Sequence, residues 1–195
     1  MISYCIHCYG QFGRYKQYSN LTYEYLKSIK KDIDLLHTRS IALTGGEVFI
    51  HKEFEKIAMF FLKNGFNVVI FSNGYNYKRM KNFLELSKDY HMTIKISIDG
   101  LNDTHNLIPR RKNSYENAIK MLDILKNYDN VDTNVSTVIM RENLKEVDEL
   151  IDIIKNRYPK FTHQLDIISP ILNARKNQSL FTLSEIQKYI IVIQM

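Results

Sequence analysis

The chain contains two cysteines, Cys5 and Cys8, in the sequence SYCIHCYG near its beginning. In a reducing compartment, two cysteines with two residues between them indicate metal or redox chemistry more than a structural disulfide. Two ligands do not complete a metal site, so the spacing leaves open what the pair binds. Two simpler interpretations also stay open: unliganded thiols in a loop, or half of a zinc site shared with His7 or another chain.

Polar and glycine residues follow several short apolar runs, where a polar binding pocket would form if the runs were parallel strands. These residues are Gly45, Gly46, Glu47, Ser72, Asn73, Gly74, Ser97, Asp99, Gly100, Ser169 and Pro170. Each motif taken singly is explained by ordinary turn chemistry. Their repetition after successive runs favours a shared rim.

Short β-branched runs alternate with longer amphipathic segments. The runs begin near Ser40, Asn67, Thr93, Asn134 and Leu165, and they predict strands bounded by turn residues. Helical periodicity predicts helices in LTYEYLKSIKKDIDLL, EFEKIAMFFLKNG, YENAIKMLDILKNY, LKEVDELIDIIKNRY and TLSEIQKYIIVI. In the first of these, Leu21, Tyr25, Ile29, Ile33 and Leu36 share the apolar stripe. This alternation predicts an α/β fold with a parallel sheet and right-handed crossovers.

Length and composition narrow the choice of function. With 195 residues, 45% of them hydrophobic, the chain fits one domain over residues 1–195. No apolar run reaches the roughly 18 to 20 residues of a membrane span, and the cysteine usage predicts a cytoplasmic protein. The formal charge is +6, but the only compact basic cluster is PRRKN, from Pro109 to Asn113, so we expect no nucleic-acid partner.

The order of these motifs resembles the radical S-adenosylmethionine superfamily, most closely the branch that matures peptides and sulfatases. The motifs are Cys-x-x-Cys, Thr-Gly-Gly-Glu, Ser-Asn-Gly, Ser-Ile-Asp-Gly and NSYENAIKML, and the resemblance as a whole runs from Cys5 to about Arg175. The resemblance implies a partial (β/α)6 barrel resembling a TIM barrel. It also implies two cofactors, a 4Fe–4S cluster and S-adenosylmethionine.

In that family three cysteines bind three irons, and Cys5 and Cys8 match the second and third of them. The first would stand at position 1, which is Met here. The family's first strand, which precedes the cysteines, also has no counterpart in this sequence. We therefore expect an N-terminally incomplete chain, without a stable cluster as it stands, because two thiolates do not satisfy three irons. No cysteine follows Cys8, so we also expect no cysteine-rich C-terminal extension.

The resemblance assigns roles to further residues one at a time. His7 takes the aromatic position near the adenine, and Ser169 and Pro170 match a strand end on the same side. Gly45, Gly46 and Glu47 match the motif that receives the methionine amino group. Ser97 matches a cofactor contact, Asp99 and Gly100 shape its turn, and Ser72 and Asn73 line the rim. Arg110 or Arg111 matches the residue that pairs with the methionine carboxylate. The remaining histidines are interpreted as surface or packing residues: His37, His51, His91, His105 and His163.

The implied activity is reductive cleavage of S-adenosylmethionine to a 5′-deoxyadenosyl radical, which takes a hydrogen atom from a substrate. The expected partners are a peptide or small-molecule substrate and an external electron donor. Two other hypotheses remain open. One is a degenerate barrel that binds a peptide or protein without a cluster. The other is a metal-binding or nucleic-acid-binding domain that uses the basic surface.

Overall fold

The computed structural model describes residues 21–109 and 111–167, in which strands and helices alternate. The strands are β1 (Ser40–Leu43), β2 (Asn67–Ser72), β3 (Met92–Ser97), β4 (Val131–Ile139) and β5 (Thr162–Ile167). The helices are α1 (Tyr23–Ser28), α2 (Lys30–Leu35), α3 (Phe54–Lys63), α4 (Tyr77–Leu86), α5 (Asn102–Leu107), α6 (Ser114–Leu125) and α7 (Val147–Arg157). A 3₁₀ turn spans Val48–Ile50.

The five strands form one parallel sheet in the order β1-β2-β3-β4-β5. Each strand therefore pairs with its neighbour in the chain, and each connection steps in the same direction. Because parallel crossovers are right-handed, they all place their helices on one face of the sheet, as in a barrel wall. The sheet is not closed within the described residues, so the α/β partial-barrel prediction is confirmed.

One face of the sheet, the helix-covered face, supplies the hydrophobic core. Alternate strand residues are fully buried there, including Ile70 in β2, Ile94 and Ile96 in β3, and Val135 in β4. They pack with the apolar stripes of the helices. In α3, for example, Phe54, Ile57, Ala58, Phe61 and Leu62 are buried. The apolar residues that recur every second position in the strands and about every 3.6 positions in the helices therefore pack together at one interface.

The opposite face, here called the inner face, carries the residues between these core positions. It presents Phe71 from β2, Lys95 and Ser97 from β3, Asn134 and Ser136 from β4, and Gln164 and Asp166 from β5. These residues are exposed or half-buried in the described part of the chain. The inner face is therefore mainly polar, as expected for a surface that meets water or a ligand.

The first predicted helix is wrong in two respects. It is divided at Ile29, where φ is −95° and ψ is 3°, so α1 and α2 are separate. Its buried residue is Leu26, whereas Tyr25 and Leu36 on the predicted stripe are exposed. The reason is that α1 packs against α3, with Tyr23 edge-on to Phe60, and this contact selects a different side of the helix from the one that periodicity favours.

The strand starts near Ser40, Asn67 and Thr93 agree with the structure to within a residue, but β4 and β5 each begin three residues earlier than predicted. The extra β4 residues alternate between buried and exposed, and they pair with β3 from Met92 opposite Val131 onward. The family's first strand and the last predicted helix lie outside the described residues.

Candidate functional site

The loop after β1 places Glu47 in a buried position between two strand ends. Its side chain is 5% exposed, and its carboxylate accepts hydrogen bonds from the Phe49 backbone N–H (3.1 Å), the Ser72 hydroxyl (3.0 Å) and the Asn73 backbone N–H (2.8 Å). Ser72 and Asn73 lie at the end of β2. The carboxylate therefore joins the ends of β1 and β2 into one rigid corner.

Burial raises the pKa of Glu47 above its ordinary value, because the charged form loses its hydration. The backbone N–H groups of Asn73 and Phe49, the Ser72 hydroxyl and the charge of Arg111 each oppose this rise. Because three protein donors already occupy the carboxylate, Glu47 holds the loop in shape. A direct contact with a methionine amino group stays a prediction.

Of the two glycines that precede Glu47, Gly45 borders open space. A Cβ atom added at Gly45 would meet no other atom within 4 Å, and Gly46 is exposed. At Gly74, in the next strand-end loop, φ is +71° and an added Cβ would come within 2.8 Å of Ala118 Cα. The β1 loop therefore offers free backbone to a ligand, whereas the β2 loop uses its glycine for close packing on α6.

Asp99 organises the loop after β3. Its carboxylate accepts a hydrogen bond from the Val138 backbone N–H (2.8 Å), and its carbonyl oxygen accepts one from Asn143 Nδ2 (2.6 Å). The next residue, Gly100, has no room for a side chain, because an added Cβ would lie 2.8 Å from Thr104 Cγ2. Asp99 and Gly100 lie in this turn, and the hydrogen bonds of Asp99 tie it to the end of β4.

Ser97, the last residue of β3, is the open polar group of this rim. It is exposed on the inner face, and no hydrogen bond engages its hydroxyl within the described residues. A hydroxyl can both donate and accept, so Ser97 is available to a ligand that enters from this side.

Arg111 lies near the same rim. Its guanidinium carbon is 3.2 Å from the centroid of the Tyr75 ring, and the half-buried side chain carries the positive charge that acts on Glu47. Stacking on the ring fixes the plane of the guanidinium and leaves its edge for an anion. Arg110 lies outside the described residues, so the choice between the two arginines stays a prediction.

The structure brings three groups of predicted residues to the carboxyl ends of adjacent strands. They are Gly45, Gly46 and Glu47 after β1, Ser72 and Asn73 at the end of β2, and Ser97 with Asp99 at the end of β3. Cys5, His7 and Cys8, and Ser169 with Pro170, lie outside the described residues. Their roles stay predictions.

Sequence reasoning missed two residues that build this rim. Asn143 accepts from the Met140 N–H and donates to the carbonyls of Asp99 and Val138. His105, interpreted as a surface or packing residue, is buried. Its Nδ1 accepts from the Asp99 N–H (3.0 Å) and its Nε2 lies 3.3 Å from the Ser114 hydroxyl. Neither belongs to a motif that the sequence analysis singled out, and the contact of Asn143 with Asp99 joins residues 44 positions apart.

Other kinds of site find no support in the described part of the chain. Residues 21–109 and 111–167 contain no group of three His, Cys, Asp or Glu side chains placed to hold a metal ion. None of the helices in the same ranges is both long and apolar enough for a membrane span.

A one-sided parallel sheet with polar loops at its carboxyl rim defines the class of barrel-type α/β proteins that bind small molecules there. A family model narrows this class: the radical SAM superfamily matches residues 3–154. The chain therefore belongs to the radical SAM superfamily. This family uses a 4Fe–4S cluster together with S-adenosylmethionine.

Two relatives are similar in sequence. The chain is 28% identical over 153 residues to the sporulation killing factor maturation protein SkfB of Bacillus subtilis, covering 78% of this chain and 36% of SkfB. It is 25% identical over 145 residues to the mycofactocin maturase MftC of Mycolicibacterium smegmatis, covering 74% of this chain and 36% of MftC. Both similarities agree with the peptide-maturing branch that the motifs indicate.

A solved structure described as native anSMEcpe with bound AdoMet and the Cp18Cys peptide has the same fold. Its TM-score is 0.69 at 18% identity, with 86% of this chain and 47% of that chain covered. The chain thus spans less than half the length of each of these three proteins.

Proposed function

We propose that this chain is the barrel portion of a radical SAM enzyme that modifies a peptide. The observation that carries the proposal is the rim formed by the ends of β1, β2 and β3, where free backbone at Gly45 and the open hydroxyl of Ser97 share one edge of the sheet. Barrel enzymes bind their reactants at this edge.

The donor set of the rim fits S-adenosylmethionine. The carbonyl groups of Gly45 and Gly46 suit its ammonium group, and the Arg111 or Arg110 guanidinium suits its carboxylate. Ser97 offers a hydroxyl beside them, and Ser72 and Asn73 line the same edge. Glu47 holds this corner by its three hydrogen bonds, so its role is to position the loop. We assign His7, Ser169 and Pro170 to the adenine.

Cys5 and Cys8 are the cluster ligands in this proposal, because thiolates are the donors that iron–sulfur clusters prefer. When bound, the cluster supplies the electron that cleaves S-adenosylmethionine. The protein's own part is to hold the reactants at the rim and to exclude water through the packed loops of Glu47 and Asp99. We also propose that residues 1–195 form one domain and that the protein works in the cytoplasm, where thiols stay reduced.

A peptide substrate is supported by the maturation proteins among the relatives and by the neighbour of similar fold that holds a peptide. In the described part of the chain, the inner face of the sheet presents mainly polar side chains, which suit hydrogen bonds to a peptide. An external electron donor completes the set of proposed partners.

The rim assignment is tested by calorimetric titration of the chain with S-adenosylmethionine. Replacing Ser97→Ala is expected to weaken binding about tenfold, the effect of losing one hydrogen bond to a polar ligand. Ser40→Ala is the matched control, because Ser40 is an exposed strand serine at the opposite end of the sheet. Equal losses in both variants, or none, would refute the rim as the cofactor site.

The cluster assignment is tested by anaerobic reconstitution with iron and sulfide, followed by iron counting and electron paramagnetic resonance. A Met1→Cys variant that is preceded by a short restored N-terminal strand is expected to bind more iron than the parent chain, and the gain is expected to vanish when Cys5→Ser is added. S-adenosylmethionine binding without any cysteine-dependent iron would instead support a degenerate barrel that binds without a cluster.

A further inference from the structure

The inner face carries a lysine, Lys95, that has no role in the proposed cofactor site at the rim. Lys95 lies in the middle of β3, two residues before Ser97 and thus about 7 Å below the rim. We propose that Lys95 binds a carboxylate group of the substrate peptide, so that the proposed enzyme selects a peptide with an acidic group at the segment entering the barrel. This inference rests on the proposed function, since it names the chemistry of the same substrate.

The position of Lys95 follows from the alternation of β3. Its neighbours Ile94 and Ile96 are fully buried in the core, so the Lys95 side chain stands on the inner face. Its ammonium nitrogen lies 3.1 Å from Gln164 Oε1 on β5 and 5.5 Å from the centroid of the Phe71 ring on β2. Because Gln164 is two strands away, the side chain extends across β4, at the centre of the curved face.

The two contacts of this cation within the described residues, with Gln164 and Phe71, are both to neutral groups. No ion pair joins Lys95 to an acid within residues 21–109 and 111–167, whereas Lys30 and Lys160 at the surface each contact a carboxylate. An ammonium group has three donors, and the Gln164 oxygen takes one of them. Lys95 therefore retains donors for a further acceptor, and a negatively charged one gains most in a half-enclosed place.

The Gln164 amide lies between Lys95 and Asp166, an acid of the inner face. Gln164 Nε2 donates to both oxygens of Asp166 (3.0 and 3.1 Å), while Gln164 Oε1 accepts from Lys95. Ser136 also donates to Asp166, at 3.4 Å. The Gln164 amide is thus fixed in one orientation, with a cation at one end and a carboxylate at the other.

The residue that pairs with Lys95 across β3 and β4 has a buried oxygen without a hydrogen bond in the described part of the chain. Asn134 lies beside Lys95 in the register of β3 and β4, and its Oδ1 atom is buried without a hydrogen bond within the described residues. A buried acceptor without a donor costs free energy. An N–H group of a peptide bound at this row of paired residues would supply the missing donor. The row therefore suits a carboxylate with an amide next to it.

A peptide offers that chemistry in two ways: through an acidic side chain, or through its C-terminal carboxylate. The formal charge of +6 on the chain favours an acidic peptide in both cases. The probes that separate the two sources are N-acetylglutamate α-amide, with only a side-chain carboxylate, and N-acetylglycine, with only a terminal one. Their neutral controls are N-acetylglutamine amide and N-acetylglycine amide.

The test is nuclear magnetic resonance titration of the ¹⁵N-labelled chain with each probe. At least one carboxylate probe is expected to shift the signals around Lys95, and Lys95→Met is expected to weaken that probe about tenfold. Lys95→Arg keeps the charge and is expected to retain most of the affinity. Lys120→Met is the matched control, since Lys120 lies 5.6 Å from the Tyr77 ring on the helical side of the protein.

Each outcome decides the proposal. The carboxylate probe that binds more tightly identifies the source of the acidic group. Equal binding of carboxylate and neutral probes, no binding of either carboxylate, or an equal loss in Lys120→Met would overturn it. So would displacement of the probes by S-adenosylmethionine, because Lys95 would then belong to the cofactor. The probes need neither cluster nor cofactor, so failure here is distinct from failure of the Ser97 and cysteine experiments.

Discussion

The two faces of the sheet use the same strands for different purposes. In β3, Ile94 and Ile96 are fully buried against the helices, whereas Lys95 and Ser97 between them stand on the inner face with unused donors. A one-residue step along the strand thus separates a residue that stabilises the fold from one that is available for binding. Substitutions on the helix-covered face should therefore change mainly stability, and those on the inner face mainly binding. In the rim loops a single substitution can change both.

The largest effect is expected on the helix-covered face. Ile96→Ala removes a fully buried side chain and should lower the free energy of unfolding by about 3 kcal/mol, because it leaves a cavity as well as losing burial. Urea denaturation measures the change. Phe71→Ala is the comparison on the inner face, where the ring is 38% exposed, and its effect should be clearly smaller. Equal losses would show that both faces are packed.

Glu47→Ala tests whether a buried polar residue of the rim stabilises the fold as much as a core residue does. The buried Phe49 N–H, the partly buried Asn73 N–H and the Ser72 hydroxyl would lose their acceptor, so the free energy of unfolding should fall by about 2 to 3 kcal/mol. Glu142→Ala, at an exposed glutamate beyond β4, should change stability by less than about 0.5 kcal/mol. A neutral Glu47→Ala result would mean that the corner is held by other contacts.

The two strand-end glycines give a matched pair. Gly74→Ala should cost about 2 kcal/mol, because its φ is +71° and the new Cβ meets the backbone of Ala118 at 2.8 Å. Gly45→Ala should leave stability nearly unchanged, since its Cβ would point into open space. Thermal unfolding of both variants measures the difference. A similar cost at Gly45 would contradict an open β1 loop.

His163 gives a smaller effect that depends on pH. Burial lowers its pKa below the ordinary value of 6.5, so the unfolded chain binds a proton more readily than the folded one. The contribution of His163 to the free energy of unfolding should therefore be fully present above pH 6.5 and should be lost as the pH falls below that value. The His163→Gln variant should lack this part of the pH dependence, measured by urea midpoints between pH 7.5 and pH 5, estimated as the range in which the imidazole titrates. If the variant keeps the same pH dependence of the urea midpoint, another group is responsible for it.

The smallest stability changes are expected for the inner face itself. Ser97→Ala and Lys95→Met should each change the free energy of unfolding by less than about 0.5 kcal/mol, because neither side chain is buried in the core. Urea denaturation of the variants used in the binding experiments measures this directly. A large loss in either variant would mean that the residue serves packing, and the contrast between the faces would fail.

The strands and the rim could be predicted from sequence because their signals are local. The runs before Gly45, Asn73 and Asp99 are apolar and end at turn residues, and parallel order places their ends together. The first three residues of β4 and the break at Ile29 escaped prediction, because pairing with β3 and packing on α3 decide them.

Side-chain partners could not be predicted either. Glu47 is recognisable in its motif, but its three donors come from its own loop and from the end of β2, 25 or 26 residues further along the chain. The links from Asn143 to Asp99 and from Lys95 to Gln164 span 44 and 69 residues. Contacts of this kind depend on the curvature of the sheet, and no pattern in the chain encodes them directly.

The order of the strands also has a consequence for folding. Paired residues in neighbouring strands are only 24 to 39 positions apart, and no strand is inserted between two earlier ones. During synthesis on the ribosome, each new strand can therefore pair with the one that left the exit tunnel just before it. The cost of closing each loop is nearly the same at every step, so the wall can grow in one direction without waiting for the far end of the chain.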